Sequence, residues 1–416
     1  MTDHTVTGHA RIAGRLLGTL ACLFVATELV RSWLRVLRTG RATRVDFVAL
    51  DVAARLSAGS PEHLYDLDVQ RAVQLALDPG TGPARPFTNP PFVATYARPV
   101  LWLGSDGGYL ALGVLNVALL AVIGGLLLRA TRGRHWSERT LAVTAALTMI
   151  TVGNAMAEGT ISVLVALGVC CYLLGEHRDD DRLRAVGLAL TACKPHLAVL
   201  VWGLALVQRR WRATAWGAGL LAVLAAPSLA SPGIGAWLRY PGALLQAGGA
   251  DAAAVEHSAH WWNLASVGYR TLPAEVVTAL ALPAFVVGFG VVLAAHRRRP
   301  DLLTSGSALA LGLVLVPHAN PHDAIWLPLA HALLRSHASW EARPVLARRA
   351  LTVLAVLSPL LGLYAVGFAD EGGSALAVAG LVAYAGLTTR IGATGAAVHH
   401  FGDGRRSVDT GRSAAA

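Results

Sequence analysis

The sequence predicts an all-α membrane protein, a polytopic helix bundle of about 10–12 membrane segments. Hydrophobic residues make up 54% of the 416 residues and charged residues only 14%, against roughly 25% charged residues in a soluble globular domain. Long apolar runs alternate with short clusters of arginine along most of the chain. This composition excludes a soluble enzyme, a disordered protein and a nucleic-acid-binding domain, because it supplies apolar surface for lipid as well as for a core.

The apolar runs are the candidate membrane segments. In chain order they lie near residues 14–36, 108–128, 140–153, 160–175, 185–193, 195–207, 213–230, 273–295, 302–316, 323–334, 350–368 and 373–389. A helix that spans the bilayer needs about 20 residues, so several of these runs are too short to span alone. The stretch 185–207 is broken at Lys194-Pro195, which predicts either two half-buried legs or one broken helix.

The arginine clusters predict the orientation, because cytoplasmic loops carry an excess of positive charge. These clusters lie within residues 129–139, 178–184, 209–212, 297–299, 335–349 and 390–412. If they all face the cytoplasm, both termini do so as well. The predicted location of the protein is the plasma membrane. The net charge of +10 then follows from topology and does not require a nucleic-acid partner.

This topology divides the chain into four parts. Residues 1–13 form a cytoplasmic N-terminus, and residues 14–390 form the membrane domain. Within that domain, residues 37–107 make the first external segment, which contains a short interfacial helix and is the one external part rich in arginine. Residues 391–416 form a basic cytoplasmic tail that we expect to be disordered.

Polar and ionisable residues collect in the predicted external loops. They are Asp46, Asp51, Tyr65, Asp66, Asn89, Asn154, Glu158, Lys194, His196, His257, His260, Asn263, His318, Asn320, His322 and Asp323. Ionisable residues at membrane edges are unfavourable and tend to mark function. Clustering on one side predicts an external catalytic pocket, whereas a transporter needs a midplane site that is reachable from both faces.

Asp46 opens a segment that reads as a short helix ending at Gly59. One interpretation makes Asp46 only the N-cap of this helix. The other makes it a carboxylate at the membrane surface that acts as a general base. Asp51 lies about 140° around the same helix, and Arg55 follows it at i+4, so Asp51 is predicted to form a surface ion pair instead.

Lys194 is the only lysine in the chain, and it interrupts an apolar run. Its ammonium either snorkels to the interface or binds a phosphate group beside the lipid. Asn89 precedes two prolines, a pattern that predicts a loop leading into a helix. It is a weak candidate for substrate binding because it follows Asp46 in the same external segment.

Two later loops are rich in histidine. His318 and His322 flank Asn320 and precede Asp323, and they could contact phosphate or sugar, share a metal ion or stabilise a kink. The prolines at 317 and 321 argue against a continuous helix there, and no third metal ligand is obvious in the sequence. His257, His260 and Asn263 surround two tryptophans, which either stack on a sugar or belong to an interfacial aromatic belt.

The order of these motifs resembles glycosyltransferase family 87. The matching motifs are Asp46-Phe47 after the first helix, Gly59 with Tyr65-Asp66, Asn89-Pro90-Pro91, Lys194-Pro195-His196 ahead of Arg209-Arg210-Trp211, and Pro317-His318 with Pro321-His322-Asp323. The resemblance covers about residues 45–330. Two positions depart from the family pattern: the tyrosine that often follows the Asp-Phe pair is missing, and Gly159-Thr160 replaces a Gly-Gln or Gly-Asn pair.

The resemblance implies a GT-C fold and an inverting transfer that uses a polyprenyl-phosphate sugar and no metal or other cofactor. It implies that Asp46 is the catalytic base and that Lys194, His318 and His322 bind the donor phosphate. We therefore expect transfer of mannose to an envelope glycolipid or glycan, with membrane lipids around the enzyme and no nucleic acid. An arabinofuranose donor is the alternative within this class, and a lipid or sugar transporter is the alternative outside it.

Overall fold

The computed structural model describes residues 44–77, 85–132, 136–147, 150–247, 263–269, 271–297 and 302–336, with scattered positions inside 16–34, 340–354 and 378–387. Every regular element in these residues is helical, which confirms the all-α prediction. The predicted cytoplasmic termini, 1–13 and 391–416, lie outside the described residues, as do His257 and His260.

The described part of the chain contains the following helices in sequence order. They are α1 (Val45–Gly59), α2 (Leu67–Leu77), α3 (Pro91–Ala97), α4 (Val100–Ala130), α5 (Trp136–Leu147), α6 (Ile150–Glu158), α7 (Ser162–Arg178), α8 (Asp181–Thr191), α9 (Pro195–Val207), α10 (Trp211–Ser228), α11 (Ile234–Ala247), α12 (Leu264–Gly268), α13 (Ala274–His296), α14 (Leu302–Leu315) and α15 (Trp326–Ser336). Two 3-10 turns, Pro61–His63 and Pro321–Ala324, and a π-helical segment, Leu229–Gly233, complete the described elements.

Three of the described helical stretches are long and apolar enough to cross a membrane. They are Val100–Ala130, Trp211–Gln246 and Ala274–His296. The second joins α10 to α11 and is interrupted at Ser231, whose backbone is extended (φ −160°, ψ 122°). Most of each stretch is not buried inside the protein, as expected for helices that face lipid. The chain is therefore a membrane protein.

Several other apolar helices are too short to span a bilayer alone. Helices α8, α9 and α14 have 11, 13 and 14 residues, so they are about 16, 20 and 21 Å long, against a hydrocarbon core of roughly 30 Å. The predicted break in residues 185–207 is confirmed. Lys194 is extended (φ −124°, ψ 109°) between α8 and α9, and Pro195 occupies the first turn of α9, where its missing N–H breaks no helical hydrogen bond.

Helices α7 and α8 pack with their backbones in close contact. A Cβ atom added to Gly187 would lie 2.6 Å from the carbonyl oxygen of Gly168 and 2.6 Å from the backbone nitrogen of Tyr172. The reciprocal Cβ on Gly168 would lie 3.0 Å from the carbonyl oxygen of Gly187. Only glycine at both positions permits this approach, which fixes α8 and hence Lys194 at its end.

Replacing Gly187 by alanine is therefore expected to destabilise the protein by about 1–3 kcal/mol, the usual range for overpacking a core. Thermal unfolding of the purified protein in detergent measures the change. Gly219→Ala is the matched control, because nothing lies within 4 Å of its added Cβ in α10 and alanine has the higher helix propensity. Equal losses for the two variants would contradict the close α7–α8 packing.

An ion cluster around the buried Arg184 holds one end of the bundle together. The side chain of Arg184 is 1% exposed, and its nitrogens lie 2.7 Å from carboxylate oxygens of Glu176, Asp179 and Asp181. Arg210 at the start of α10 also contacts Glu176 and Asp179. Two of the arginine clusters predicted to be cytoplasmic thus meet at the same end of the bundle, while their orientation in the membrane stays a prediction.

Described residues of the segment predicted to be external contact the α10–α11 junction. Arg98 Nε donates to Ser57 Oγ at 3.1 Å, and Arg98 Nη2 donates to the Ser57 carbonyl and to Ser231 Oγ. The ring of Tyr65 lies 5.4 Å from that of Tyr240 in α11. These contacts hold α1 and α3 against α11, and so fix the frame in which α1 presents Asp46.

Candidate active site

One cluster of charged and polar side chains joins helix ends that are distant in the sequence. Its members are Asp46, Arg85, Glu158, Lys194, His196, His318, Asn320, His322 and Asp323. They come from the start of α1, the loop before α3, the end of α6, the α8–α9 break and the turn after α14. All of these segments were predicted to be external, so the structure brings the predicted external loops to one place.

Asp46 is not the N-cap of α1, so the interpretation in which it only caps this helix is wrong. The helix begins at Val45, its N-cap residue is Arg44, and no side chain forms a capping hydrogen bond. The Asp46 carboxylate is instead directed to other charges: Oδ1 lies 3.1 Å from Arg85 Nη1, and Oδ2 lies 3.3 Å from His322 Nε2. Its side chain is 20% exposed, so a substrate can reach it.

Phe47 and Gly159 fix the distance between α1 and the α6–α7 turn. Gly159 has a φ of +67°, and a Cβ atom added there would lie 2.7 Å from Phe47 Cβ. The ring of Phe47 packs edge-on against Tyr109 at 5.5 Å, and the Tyr109 hydroxyl donates to the carbonyls of Met156 and Ala157. The residue after Asp46 and the residue after Glu158 therefore touch, which sets the two carboxylates side by side.

Arg85 and His322 both lie between these two carboxylates. Arg85 Nη1 donates to Asp46 Oδ1 at 3.1 Å and to Glu158 Oε2 at 2.8 Å. His322 is fully buried, with Nε2 3.3 Å from Asp46 and Nδ1 3.3 Å from Glu158. Neither ring nitrogen forms a hydrogen bond with acceptable geometry, so the two carboxylates lie within ion-pair distance of the ring without being hydrogen-bonded to it. Asn154 donates to the other oxygen of Glu158 at 2.9 Å.

The charges around Asp46 set its protonation. Burial by itself would raise the pKa of Asp46, but the positive charges of His322 and Arg85 outweigh it and lower the pKa to about 2. The carboxylate is therefore ionised at any pH at which the protein is expected to work. It is ready to accept a proton from a group that becomes strongly acidic during the reaction.

Lys194 forms a buried ion pair and does not snorkel. Its Nζ donates to Asp323 Oδ1 at 2.7 Å, with side-chain exposures of 7% and 0%. His196 Nε2 lies 3.2 Å from the other oxygen of Asp323. Burial by itself would raise the pKa of Asp323, but Lys194 and then His196 outweigh it and hold the pKa well below its usual range.

The loop after α14 holds this pair next to the base. Asp323 Oδ2 accepts from the backbone N–H of Asn320 at 3.0 Å, and its Oδ1 lies 3.8 Å from His322 Nε2. Asn320 Nδ2 lies 3.1 Å from His318 Nε2. Burial, followed by the charge of His196, lowers the pKa of His318 to about 3, so His318 is neutral and can offer a phosphate a hydrogen bond but no charge.

Two weak candidates for substrate binding lie apart from the cluster of charged and polar side chains. Asn89 contributes its carbonyl oxygen, which accepts from the Tyr65 hydroxyl at 2.7 Å. Asn263 is the N-cap of α12, because its Oδ1 accepts from Ser266 N at 2.8 Å. Nothing in the described residues links either side chain to Asp46, and their substrate-binding roles stay predictions.

Sequence reasoning selected none of Arg85, Glu158 and His196 as site residues. Glu158 and His196 were among the polar residues of the predicted external loops, and Arg85 was one of the arginines within residues 37–107. Glu158 stood beside the unusual Gly159-Thr160 pair, and that departure was the one available signal. The prediction for Asp51 is confirmed in part. It pairs with Arg55 at 3.0 Å, but its own side chain is 3% exposed while that of Arg55 is 38% exposed, and it accepts from Ser105 Oγ at 2.6 Å.

Asp46, Glu158 and His322 also have the residue types that bind divalent cations. One ligand atom from each lies within 4.8 Å of the others. Arg85 Nη1, however, already lies within 3.1 Å of both carboxylates, so a guanidinium carries the positive charge between them. That the transfer needs no metal stays a prediction.

Comparison with known proteins identifies the family of the chain. Residues 87–321 match glycosyltransferase family 87. The match covers more than half of the 416 residues, so this membrane protein is a glycosyltransferase. The chain belongs to glycosyltransferase family 87. Asp46, Arg85, His322 and Asp323 lie outside the matched segment. The other members of the cluster lie within it: Glu158, Lys194, His196, His318 and Asn320. No curated protein matches the chain.

Proposed function

We propose that the protein is an inverting GT-C glycosyltransferase that transfers mannose from a polyprenyl-phosphate donor to an envelope glycolipid or glycan on the external face. The observation that carries this proposal is the partly exposed Asp46 carboxylate, which is paired with Arg85 and His322. The buried Lys194–Asp323 pair lies next to it. A base beside several cations suits a reaction that removes a proton and releases a phosphate.

In the proposed reaction, an acceptor hydroxyl attacks C1 of the sugar while the bond from C1 to the phosphate oxygen breaks. The electron pair of that bond leaves with the polyprenyl phosphate, and the hydroxyl proton goes to Asp46. The hydroxyl becomes strongly acidic only once its oxygen is bonded to C1. A carboxylate with a pKa of about 2 can therefore take the proton late in the displacement.

The charge in the site stays constant during this step. The donor phosphate gains one negative charge as it leaves, and Asp46 loses one as it is protonated. Arg85 contacts Asp46 directly, so the positive charge of its guanidinium can stabilise the phosphate once Asp46 is protonated. Fixed charges that stabilise a developing charge are commonly the largest contribution to catalysis.

The test is product analysis with the full-length protein in lipid nanodiscs. The protein is supplied in turn with labelled polyprenyl-phosphate mannose and polyprenyl-phosphate arabinofuranose, together with envelope lipid as acceptor. We expect labelled glycolipid from the mannose donor. Product from the arabinofuranose donor alone would replace the sugar but keep the reaction class. Movement of an intact donor across proteoliposome membranes, without cleavage, would identify a transporter and contradict the proposal.

A further inference from the structure

The guanidinium of Arg85 uses only one of its three nitrogens within the described residues. Nη1 donates to both Asp46 and Glu158, while Nε and Nη2 form no hydrogen bond there. Nε and Nη2 lie on the same edge of the planar group, and each directs an N–H outward in the geometry that matches two oxygens of a phosphate. The side chain is 21% exposed, so this edge can be reached.

The backbone around Arg85 is held by α2. Gln74 Nε2 donates to the Arg85 carbonyl at 2.7 Å, and Gln70 Oε1 accepts from Phe87 N at 2.8 Å. Both glutamines are buried, and they lie one turn apart on the same face of α2. The Nε and Nη2 edge of Arg85 is therefore carried by a loop whose backbone is held in place by α2.

The other basic side chains of the described cluster are less free to bind an anion. Lys194 lies 2.7 Å from the fully buried Asp323, so a ligand would have to share its ammonium with that carboxylate. His318 is neutral because burial and His196 lower its pKa to about 3. His322 is fully buried between two carboxylates. His196 Nε2 lies 3.2 Å from Asp323. Arg85 combines a fixed position, partial exposure and an open pair of donors.

We propose that Arg85 binds the phosphate of the donor through Nε and Nη2 while Nη1 keeps its contacts with Asp46 and Glu158. This proposal rests on the proposed function. It adds a residue that is absent from the motifs on which the family resemblance was based. When the bond from C1 to the phosphate oxygen breaks, the electron pair goes to a phosphate held by Arg85, and the proton goes to a carboxylate held by the same guanidinium. One side chain thus positions the base relative to the leaving group.

The test measures how tightly the full-length protein in nanodiscs binds undecaprenyl phosphate, with undecaprenol as the uncharged probe. In Arg85→Lys, the ammonium can still lie between Asp46 and Glu158, but the two-nitrogen edge is lost. We expect undecaprenyl phosphate to bind at least about 10-fold more weakly, as for loss of a charge-assisted pair, with undecaprenol unchanged. Arg55→Lys is the matched control, because Arg55 also pairs with a buried aspartate of α1 but lies outside the cluster.

Equal affinities of the wild type and Arg85→Lys for undecaprenyl phosphate would overturn this proposal alone. A wild type that does not distinguish undecaprenyl phosphate from undecaprenol would overturn both it and the proposed function. A second measurement needs no variant: undecaprenyl phosphate, but not undecaprenol, is expected to protect Arg85 of the wild type from phenylglyoxal, with modification mapped by mass spectrometry. Unprotected modification of Arg85 in the presence of bound undecaprenyl phosphate would also overturn the proposal.

Discussion

Asp46→Asn is expected to lower the rate of sugar transfer by at least about 10²-fold, the low end for loss of a general base. The amide keeps the size of the carboxylate and still offers an oxygen to Arg85, which lies 3.1 Å away. It cannot accept the proton of the acceptor hydroxyl. The rate is measured per folded molecule, with folded protein quantified by thermal unfolding in nanodiscs.

Asp51→Asn is the matched control for this experiment. Asp51 lies on the same helix and is also buried, but its partners are Arg55 and Ser105. Losing the charge there is expected to lower stability by about 1–3 kcal/mol, as for a weakened hydrogen bond to a charged group, and to leave the rate per folded molecule unchanged. A larger loss of rate in Asp51→Asn than in Asp46→Asn would show that Asp46 is not the base.

Lys194→Met is expected to destabilise the protein by about 3–5 kcal/mol, because removing one partner leaves a buried charge uncompensated. That charge belongs to Asp323, whose side chain is fully buried 2.7 Å from Lys194 Nζ. The unfolding temperature in detergent should fall accordingly. The same variant should also bind polyprenyl phosphate less tightly if Lys194 contributes charge to the donor site.

A double variant separates the two roles of Lys194. In Lys194→Met with Asp323→Asn, no buried carboxylate is left without its cation, so most of the lost stability should return. Transfer should not return with it, because the ammonium is still missing. A stable double variant with wild-type transfer would show that Lys194 only neutralises Asp323. A double variant as unstable as Lys194→Met would contradict the ion-pair account.

The sequence was sufficient to predict which loops form the site. Asp46, Lys194 and His322 lie far apart in the chain, but alternation of arginine clusters put their loops on one side, and in the structure they meet. The break at Lys194 was predictable for a local reason, since a lysine and a proline interrupt an apolar run. Composition likewise predicted the all-helical membrane architecture. Few charges and long apolar runs indicate membrane segments, and a helix satisfies its own backbone hydrogen bonds within the lipid.

The pairing of charges could not be predicted in the same way. Arg85 is one of several arginines in the segment predicted to be external, and nothing local marks the one that reaches Glu158, 73 positions later. The burial of Asp51 depends on Ser105 of α4, whereas the i+4 spacing to Arg55 predicts only the pairing. The interpretation of Asp46 as a cap followed from local preference, but its carboxylate contacts Arg85 and His322, which are distant in the sequence.

The configuration at C1 of the transferred sugar tests the central claim most directly. The claim is that one displacement, with Asp46 as base, moves the sugar from the polyprenyl phosphate to the acceptor. The product formed in nanodiscs from a donor of known configuration is analysed by NMR, and the released polyprenyl phosphate is counted. We predict the opposite configuration at C1 and one polyprenyl phosphate released for each glycosidic bond formed. A product that retains the donor configuration would contradict a single displacement and the role of Asp46 as its base.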